Sequence, residues 1–345
     1  MTVSVLVVDD SSFFRGRIIK LLQQFSSLKV VGEASNGKEA VEKALRLQPD
    51  VITMDYEMPV MDGISALIEI RRQKAVPVIM LSSLTFEGAR LTLKALEAGA
   101  ADFLVKSRLD IKGHQYPLLV EKILALGKAI EVHEPVAAQR AAVLPKPVPV
   151  RTVQPSGLRL IVVAASTGGP LAIREVLSLV PASLPCPLII VQHMPERFTQ
   201  AFAERLTEHC PMSFSEARDM ETLQAGRAYV APGGKQLLLQ PQGAHLQCRV
   251  VSEQDGRLYR PSVDVTLGSA AKVAGSGTLA LVLTGMGDDG TRGGKLLHAA
   301  GGRIWVQEAS SCVVNGMPQS IRNAGLADEV LALAEMGRRL SQLAR

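Results

Sequence analysis

The sequence predicts an α/β protein of two domains, and three observations lead to this prediction. The chain has 345 residues, which is more than one hydrophobic core usually serves, so two domains are expected. In both halves, short apolar segments alternate with helical segments, as in parallel sheets that carry helices on both faces. Between the halves, residues 128–157 are rich in proline and lack periodicity, which predicts a linker. The predicted domains are therefore residues 1–127 and 158–345.

The N-terminal half is predicted to be a (βα)5 domain, in which each of five strands precedes a helix. Val3–Val8 is an apolar run that ends at two aspartates, as expected of a buried strand. The segment after it places Ile18, Leu21 and Leu22 on one face of a helix, and Gly99 is expected to cap the fourth helix. The predicted strands are Val3–Val8, Lys29–Ala34, Val51–Met54, Val76–Leu81 and Asp102–Val105.

The C-terminal half is predicted to be a doubly wound α/β domain with a mainly parallel sheet. A helix is expected over Phe198–His209, and the turn-forming residues at Pro241–Gly243 indicate a hairpin. The predicted strands are Leu158–Ala164, Pro187–Gln192, Ala228–Val230, Thr278–Leu283 and Arg303–Val306.

The composition is that of a globular protein and argues against several classes of partner. The net charge is +5, but basic residues are spread along the chain and aromatic residues make up only 4%. Because single-strand binding needs aromatic stacking surfaces, we expect no nucleic-acid partner. The N-terminus lacks a signal-peptide pattern, no apolar run is long enough to span a bilayer, and the four cysteines are scattered. These features predict a cytoplasmic protein that does not insert into membranes.

Charged and hydroxyl side chains follow four of the predicted N-terminal strands, at the point where each strand ends. Asp9 and Asp10 follow the first strand, Asp55 the third, Ser82 the fourth and Lys106 the fifth. Carboxyl ends of parallel strands meet at one edge of a sheet, so these side chains should lie together. Three carboxylates in one place repel one another unless a cation such as Mg²⁺, which prefers oxygen ligands, lies between them. A lysine and a hydroxyl beside that cation could hold a phosphoryl group.

A second set of polar residues follows strands of the C-terminal half. Ser166 comes after a strand and before a pair of glycines, whose backbone can approach a ligand and hold an oxyanion. His193 ends the next strand and could take the proton of the serine, and Asp288 or Asp289 could orient the imidazole. Each feature also has a simpler interpretation: a phosphate-binding loop or helix cap, a structural histidine, and a turn.

The N-terminal half resembles the response-regulator receiver domain over about Thr2–Leu126. The resemblance implies that Asp55 accepts a phosphoryl group from a histidine kinase, that Ser82 moves to meet the phosphate and that Lys106 binds it. The matching motifs are Val7-Val8-Asp9-Asp10-Ser11, Met54-Asp55-Tyr56-Glu57-Met58-Pro59-Val60-Met61-Asp62-Gly63, Leu81-Ser82-Ser83, Gly99-Ala100 and Lys106.

The receiver resemblance also implies a metal cofactor. Asp10, Asp55 and the backbone carbonyl of Glu57 would bind Mg²⁺, with Asp9 acting through a water molecule. One position departs from the family pattern, because Ser107 stands where a proline usually follows the lysine. The departure concerns the loop after the fifth strand and leaves the charge of the lysine unchanged.

The C-terminal half resembles the catalytic domain of chemotaxis protein-glutamate methylesterases over about Leu158–Ala334. That resemblance implies an α/β hydrolase-type domain. The matching motifs are Ala165-Ser166-Thr167-Gly168-Gly169-Pro170, Gln192-His193-Met194-Pro195, Ala231-Pro232-Gly233-Gly234, Pro261-Ser262-Val263-Asp264 and Leu283-Thr284-Gly285-Met286-Gly287-Asp288-Asp289-Gly290.

This second resemblance implies a role for each catalytic residue. Ser166 would be the nucleophile, His193 the general base and Asp289 the residue that orients it. The backbone N–H of Met286 would contribute to the oxyanion hole, with Thr167 close to it. The implied substrate is a glutamyl methyl ester on a chemoreceptor, receptor glutamines would be deamidated by the same chemistry, and ester hydrolysis would need no cofactor.

Two departures and two rival interpretations accompany the resemblance. The family often has glycine at Ala164 and usually has asparagine at Asp288, so an additional carboxylate lies beside the predicted triad. A receiver fused to a DNA-binding domain would show a helix-turn-helix after the linker, whereas strands and glycine loops follow it here. A non-catalytic scaffold is disfavoured because Ser166, His193 and Asp289 are all present.

Overall fold

A computed structural model of the chain describes residues 2–106, 116–132, 157–252 and 259–344. The chain divides into two compact units, residues 1–139 and 140–345. Most of the predicted linker lies outside the described residues, as does Ser107, so the boundaries at 127 and 158 stay a prediction. None of the described helices combines the length and the apolar character that a membrane span needs.

The first unit contains one parallel sheet of five strands with helices between them, and its elements alternate as predicted. The elements are β1 (Val3–Val8), α1 (Ser12–Leu22), β2 (Leu28–Ala34), α2 (Gly37–Leu47), β3 (Val51–Asp55), α3 (Gly63–Gln73), β4 (Val78–Ser82), α4 (Phe86–Glu97), β5 (Asp102–Val105) and α5 (Tyr116–Val132). The strand order is β2-β1-β3-β4-β5, and every paired neighbour is parallel. The loops after β1, β3, β4 and β5 therefore share one edge of the sheet.

Local sequence explains where these elements begin and end. The side chains of Asn36, Asp62 and Thr85 cap α2, α3 and α4 by accepting backbone N–H groups of the first turn. Gly99 follows α4 at a φ of +102°, which confirms the predicted cap. Strand β4 begins at residue 78 rather than at the predicted residue 76, because Pro77 has no N–H to donate to a ladder.

The second unit contains a parallel sheet of seven strands and a separate two-stranded hairpin. Its elements are β6 (Leu160–Ala165), α6 (Gly169–Leu177), β7 (Leu188–Gln192), α7 (Phe198–His209), β8 (Ser213–Glu216), β9 (Arg227–Val230), β10 (Gln236–Gln242), β11 (His245–Val251), α8 (Val263–Val273), β12 (Thr278–Val282), α9 (Thr291–Ala299), β13 (Arg303–Gln307), α10 (Gly316–Asn323), β14 (Glu329–Leu331) and α11 (Leu333–Gln342). The strand order of the large sheet is β14-β13-β12-β6-β7-β9-β8.

The order of strands predicts where this unit binds its ligand. From β6 the chain moves to β7 on one side, and later fills the other side with β12, β13 and β14. A ligand site is expected beyond the carboxyl ends of strands where the order reverses, which here means β6 and β12. The predicted hairpin is confirmed as β10 and β11. Edge strands β8 and β14 were not predicted, because they contain only one and two apolar residues, too few to form a strand pattern.

Candidate active site

Ser166 is the first residue after β6, at the centre of the large sheet. Its backbone is fixed on both sides: its N–H donates to the carbonyl of Thr284 at 3.0 Å, and its carbonyl accepts from Gly169 N–H at 2.8 Å and Gln192 Nε2 at 2.9 Å. Gly168 precedes α6 at a φ of +76°, where a side chain would meet Val313. These contacts hold the serine rigidly between the strand and the helix.

His193 follows β7, the neighbour of β6. Its N–H donates to the carbonyl of Ala165 at 3.2 Å, so the histidine lies beside the serine loop. The imidazole Nε2 lies 2.8 Å from Oδ2 of Asp289. The buried Nδ1 has no hydrogen-bond partner among the described residues, and it is the ring nitrogen that remains for proton transfer. The ring thus has the opposite orientation to that in the general serine-protease triad, where Nδ1 faces the aspartate.

No hydrogen bond joins Ser166 to His193 within the described parts of the chain. Catalytic hydrogen bonds are often long or misaligned without substrate and tighten when it binds. The two residues are nevertheless neighbours, because Ala165 and Gln192 pair directly across β6 and β7. The structure therefore brings the predicted nucleophile and the predicted base to the same point of the sheet.

Asp289 is buried and accepts four hydrogen bonds. Besides His193, the donors are Ser262 Oγ at 2.9 Å, Val263 N–H at 2.7 Å and Asp264 N–H at 3.0 Å. These last three donors begin α8, whose N-terminal end favours an anion. Burial alone would raise the pKa of Asp289, but the bond and charge of His193 and the backbone N–H groups outweigh it and hold the pKa below its ordinary value. An ionised Asp289 accepts, so Nε2 of His193 carries a proton.

The two sequence candidates for the orienting carboxylate are thereby distinguished. Asp289 contacts the imidazole, whereas Asp288 is exposed and makes no side-chain hydrogen bond within the described residues. Adjacent residues in a tight turn point their side chains in different directions, and Gly290 follows at a φ of +104°.

The loop after β12 lies against Ser166. A Cβ on Gly285 would come 2.9 Å from the Cβ of Ser166, so backbone and nucleophile are in close contact. Thr284 Oγ1 donates to the carbonyl of Thr167 at 2.9 Å and joins this loop to the serine loop. Met286 follows Gly285 and is partly exposed. The positions of Met286 and Thr167 fit the predicted oxyanion donors, and their roles stay a prediction.

Three side chains that the sequence did not assign to the site, those of Gln192, Tyr259 and Ser262, contact the His–Asp pair or the serine. Gln192 and Ser262 lie inside the motifs that carry the resemblance, and their place in these motifs is the sequence signal that could have assigned them to the site. Tyr259 stacks on His193 and stands outside every motif. Because the two rings stand 66 positions apart in the sequence, no local pattern could have paired them.

In the first unit, three carboxylates converge at the predicted edge. The carboxylate oxygens of Asp9, Asp10 and Asp55 lie within 4.8 Å of one another. Lys106 Nζ lies 2.8 Å from Asp9 Oδ2 and 2.7 Å from Asp55 Oδ2. An all-oxygen donor set of this size fits a small divalent cation. Glu57 lies two residues after Asp55 with its side chain exposed, and the part of its carbonyl stays a prediction.

Burial and charge compete at this cluster. Burial raises the pKa of Asp55 to about 6, in opposition to its hydrogen bond and attraction to Lys106, and the neighbouring charge of Asp9 adds to the rise. Burial alone would lower the pKa of Lys106, but Asp55 and Asp9 outweigh it and raise that pKa. The lysine is therefore charged, and it stabilises two carboxylates that would otherwise repel each other.

Ser82 lies at the same edge but its hydroxyl contacts α4. Ser82 Oγ is 2.7 Å from Thr92 Oγ1 and donates to the carbonyl of Gly88 at 3.2 Å. No hydrogen bond joins Ser82 to Asp55 among the described residues. The predicted contact between this serine and a phosphate on Asp55 therefore requires the hydroxyl to leave α4.

Comparison with known proteins identifies a family for each of the two units. The CheB methylesterase family model matches residues 161–340, and the response regulator receiver domain model matches residues 5–112. The protein-glutamate methylesterase/protein-glutamine glutaminase of Alkalilimnicola ehrlichii is 42% identical, over 99% of this chain and 100% of the relative. The protein of that name from Vibrio parahaemolyticus is 44% identical, over 99% of this chain and 98% of its own.

A solved structure matches the second unit. The Thermotoga maritima CheB methylesterase catalytic domain is 36% identical with a TM-score of 0.52, and the match covers 54% of this chain and 98% of that domain. The family model spans more than half of the residues, and the relatives matched over at least 98% of their length are likewise named methylesterases. The chain belongs to the CheB methylesterase family.

Proposed function

We propose that this chain is a phosphorylation-activated serine hydrolase that demethylates glutamyl methyl esters on chemoreceptors and deamidates receptor glutamines. The observation that carries the proposal is the His193–Asp289 pair, which lies beside Ser166 at the reversal of strand order in the unit that matches the methylesterase model. The receiver unit supplies the regulation, and together the two units account for adaptation in chemotaxis signalling.

The ester reaction follows from the orientation of the imidazole. His193 Nδ1 takes the proton of Ser166 Oγ while Oγ attacks the ester carbonyl carbon. Backbone N–H groups of Met286 and Thr167 stabilise the oxyanion. When the tetrahedral intermediate collapses, the C–O bond to the methoxy group breaks, and methanol leaves with the proton from His193.

Deacylation returns the enzyme to its starting state. His193 takes a proton from water, the hydroxide attacks the acyl carbon, and Ser166 leaves with that proton. The net reaction consumes one water and releases glutamate and methanol, so no cofactor is required. A glutamine side chain follows the same steps with ammonia as the leaving group. Asp289 stabilises the positive charge that His193 carries in each transition state.

Regulation starts at Asp55. Asp10, Asp55 and the carbonyl of Glu57 would hold Mg²⁺, with Asp9 acting through water, and the ion supplies charge neutralisation for phosphoryl transfer. Asp55 then accepts the phosphoryl group from a histidine kinase, Lys106 binds its oxygens and Ser82 turns toward it. We further propose that the protein works in the cytoplasm, where kinase and receptor helices would both be accessible.

Methanol release from methylated receptor, with and without a small phosphodonor, tests the proposal. The intact chain should release methanol faster with the phosphodonor, and Asp55→Asn should remove that acceleration while leaving the basal rate. Ser166→Ala should abolish release in both conditions. A Ser166→Ala chain with full activity would overturn the hydrolase, and a fluorophosphonate probe that does not label Ser166 would favour a non-catalytic scaffold.

A further inference from the structure

Tyr259 covers one face of the imidazole of His193. The two ring centroids are 4.0 Å apart and the ring planes differ by only 4°. The tyrosine is partly buried, and its carbonyl accepts a hydrogen bond from Gln236 Nε2 at 2.9 Å. The other end of that amide, Oε1, accepts from Ser262 N–H at 2.8 Å. A single buried glutamine therefore fixes both ends of the segment 259–262.

The same segment holds the partner of His193. Three hydrogen bonds to Asp289 come from residues that stand three to five positions after Tyr259: Ser262, Val263 and Asp264. Residues 259–264, which we call the strap, thus contact both members of the His–Asp pair. The first residue of the strap, Tyr259, provides an aromatic face for His193, and residues 262–264 provide hydrogen-bond donors for Asp289.

Tyr259 also lies close to the loop that carries the predicted oxyanion donor. A Cβ on Gly287 would come 3.3 Å from the phenolic oxygen of Tyr259. Gly287 has a φ of +82°, a conformation that favours glycine. The tyrosine side chain therefore extends from the imidazole to the residue after Met286.

The imidazole needs a constraint beyond its hydrogen bond. Nε2 is bonded to Asp289, whereas Nδ1 has no partner among the described residues. The ring is anchored covalently at Cγ and by one hydrogen bond at Nε2, so it can still tilt about the line that joins these two atoms, and this tilt would move Nδ1 away from Ser166. A second ring stacked parallel to the first removes this freedom. It also presents an electron-rich face to the positive charge that the imidazole acquires when it takes a proton.

We propose that Tyr259 is a positioning residue that sets the plane of His193 and stabilises its protonated form during turnover. The inference rests on the proposed role of His193 as the general base. Interactions between a cation and an aromatic face, converted to rates, correspond to about 2-fold to 30-fold. Because the protonated ring exists in the transition state and not in the substrate complex, kcat should fall and KM should change little.

The test compares variants that keep or remove the ring in the full-length chain. Tyr259→Phe should retain kcat within about 2-fold of wild type, since it keeps the aromatic face. Tyr259→Leu and Tyr259→Met should lower kcat by about 2-fold to 30-fold with little change in KM. The single tryptophan, Trp305, is buried in β13 of the same unit, so its fluorescence reports whether each variant is folded.

A spectroscopic measurement separates stacking from a merely structural role. Of the six histidines in the chain, His193 should show an upfield ring-current shift of its imidazole protons, assigned by its loss in His193→Gln. The shift should persist in Tyr259→Phe and disappear in Tyr259→Leu and Tyr259→Met.

The outcomes separate this inference from the proposed function. A folded Tyr259→Leu or Tyr259→Met chain with wild-type kcat, or with an unchanged His193 resonance, overturns the positioning role. A Tyr259→Phe chain as impaired as Tyr259→Leu also overturns it, because the ring would then be irrelevant. If the wild-type chain releases no methanol, or His193→Gln retains full activity, the proposed function itself fails.

Discussion

Asp289→Asn tests whether the site depends on a carboxylate or only on its shape. The two oxygens of Asp289 accept four hydrogen bonds, from His193 and from the first residues of α8. An asparagine keeps one acceptor oxygen and replaces the other by a donor. With the amide nitrogen at the Oδ2 position, the N–H of Val263 loses its acceptor, and with the opposite orientation the N–H of Asp264 loses its acceptor.

The expected loss of stability is about 2–4 kcal/mol. A buried N–H without an acceptor costs about 1–3 kcal/mol in either orientation, and the remaining bonds weaken from charge-assisted to neutral strength by roughly 1 kcal/mol together. Urea unfolding followed by Trp305 fluorescence measures this loss in the unit that contains Asp289, because the chain has a single tryptophan.

The expected loss of rate depends on the orientation of the amide. If its oxygen faces His193, the ring keeps its tautomer but loses a charge-assisted bond of up to about 3 kcal/mol, which is about 100-fold in kcat. If its nitrogen faces His193, the proton moves to Nδ1, which then cannot accept from Ser166, and the loss approaches about 10,000-fold. Methanol release from methylated receptor should therefore slow by about 100-fold to 10,000-fold.

Asp288→Asn is the matched control, since the same chemical change is made one residue earlier. Asp288 is exposed and contacts no described side chain through a hydrogen bond, so its variant should keep wild-type stability and rate. Equal effects of the two substitutions, or an Asp289→Asn chain with wild-type kcat, would refute the reasoning.

Three further predictions concern acid stability, the serine loop and the receiver. The pKa of Asp289 lies below its ordinary value of 3.8, so its stabilisation is fully present above about pH 4 and is lost as the pH falls further. The difference in urea stability between wild type and Asp289→Asn should therefore be constant above about pH 4 and should shrink as the pH is lowered toward about 3. Gly285→Ala would place a methyl group against Met317 Sδ and 2.9 Å from the Cβ of Ser166, and it should lower kcat by about 100-fold because the nucleophile is displaced. Gly268→Ala in α8 is the control: its methyl would meet only Leu296 of α9 at 3.4 Å, so it should add about 0.5–1 kcal/mol of stability and leave kcat unchanged. Lys106→Met removes the cation from two buried carboxylates and should destabilise the first unit by about 3–5 kcal/mol, measured by thermal unfolding. Added Mg²⁺ should restore part of this stability, and the full loss should remain in buffer that contains no divalent cations.

The fold was predictable because its strands are apolar, long enough and regularly followed by helices. Ser166, His193 and Asp55 could be located because each stands at the end of such a strand, and parallel strands end at one edge. The ring orientation of His193 could not be predicted, since it depends on the direction from which Asp289 approaches. Tyr259 was equally hidden, because stacking joins rings that are far apart in sequence and leaves no periodic signal.

The two buried carboxylates of the proposed sites, Asp289 and Asp55, have opposite pKa shifts, and the difference fits the different roles proposed for them. A carboxylate offers about four lone-pair sites. All four on Asp289 are filled by donors, including two backbone N–H groups at the start of α8, which stabilise its charge and lower its pKa. A carboxylate held in this way can orient His193 but has no free oxygen for a nucleophilic attack.

Asp55 receives fewer donors. Tyr56 N–H donates to Oδ1 at 2.7 Å and Lys106 Nζ lies 2.7 Å from Oδ2, so burial and the charge of Asp9 prevail and raise its pKa to about 6. The lone pairs that remain are available for a metal ion and for a phosphorus atom. The proposed phosphoacceptor role needs such free lone pairs, because a carboxylate with every lone pair hydrogen-bonded, like Asp289, is a weaker nucleophile. The raised pKa of Asp55, which is due first to burial, is compatible with the phosphoacceptor role proposed for it.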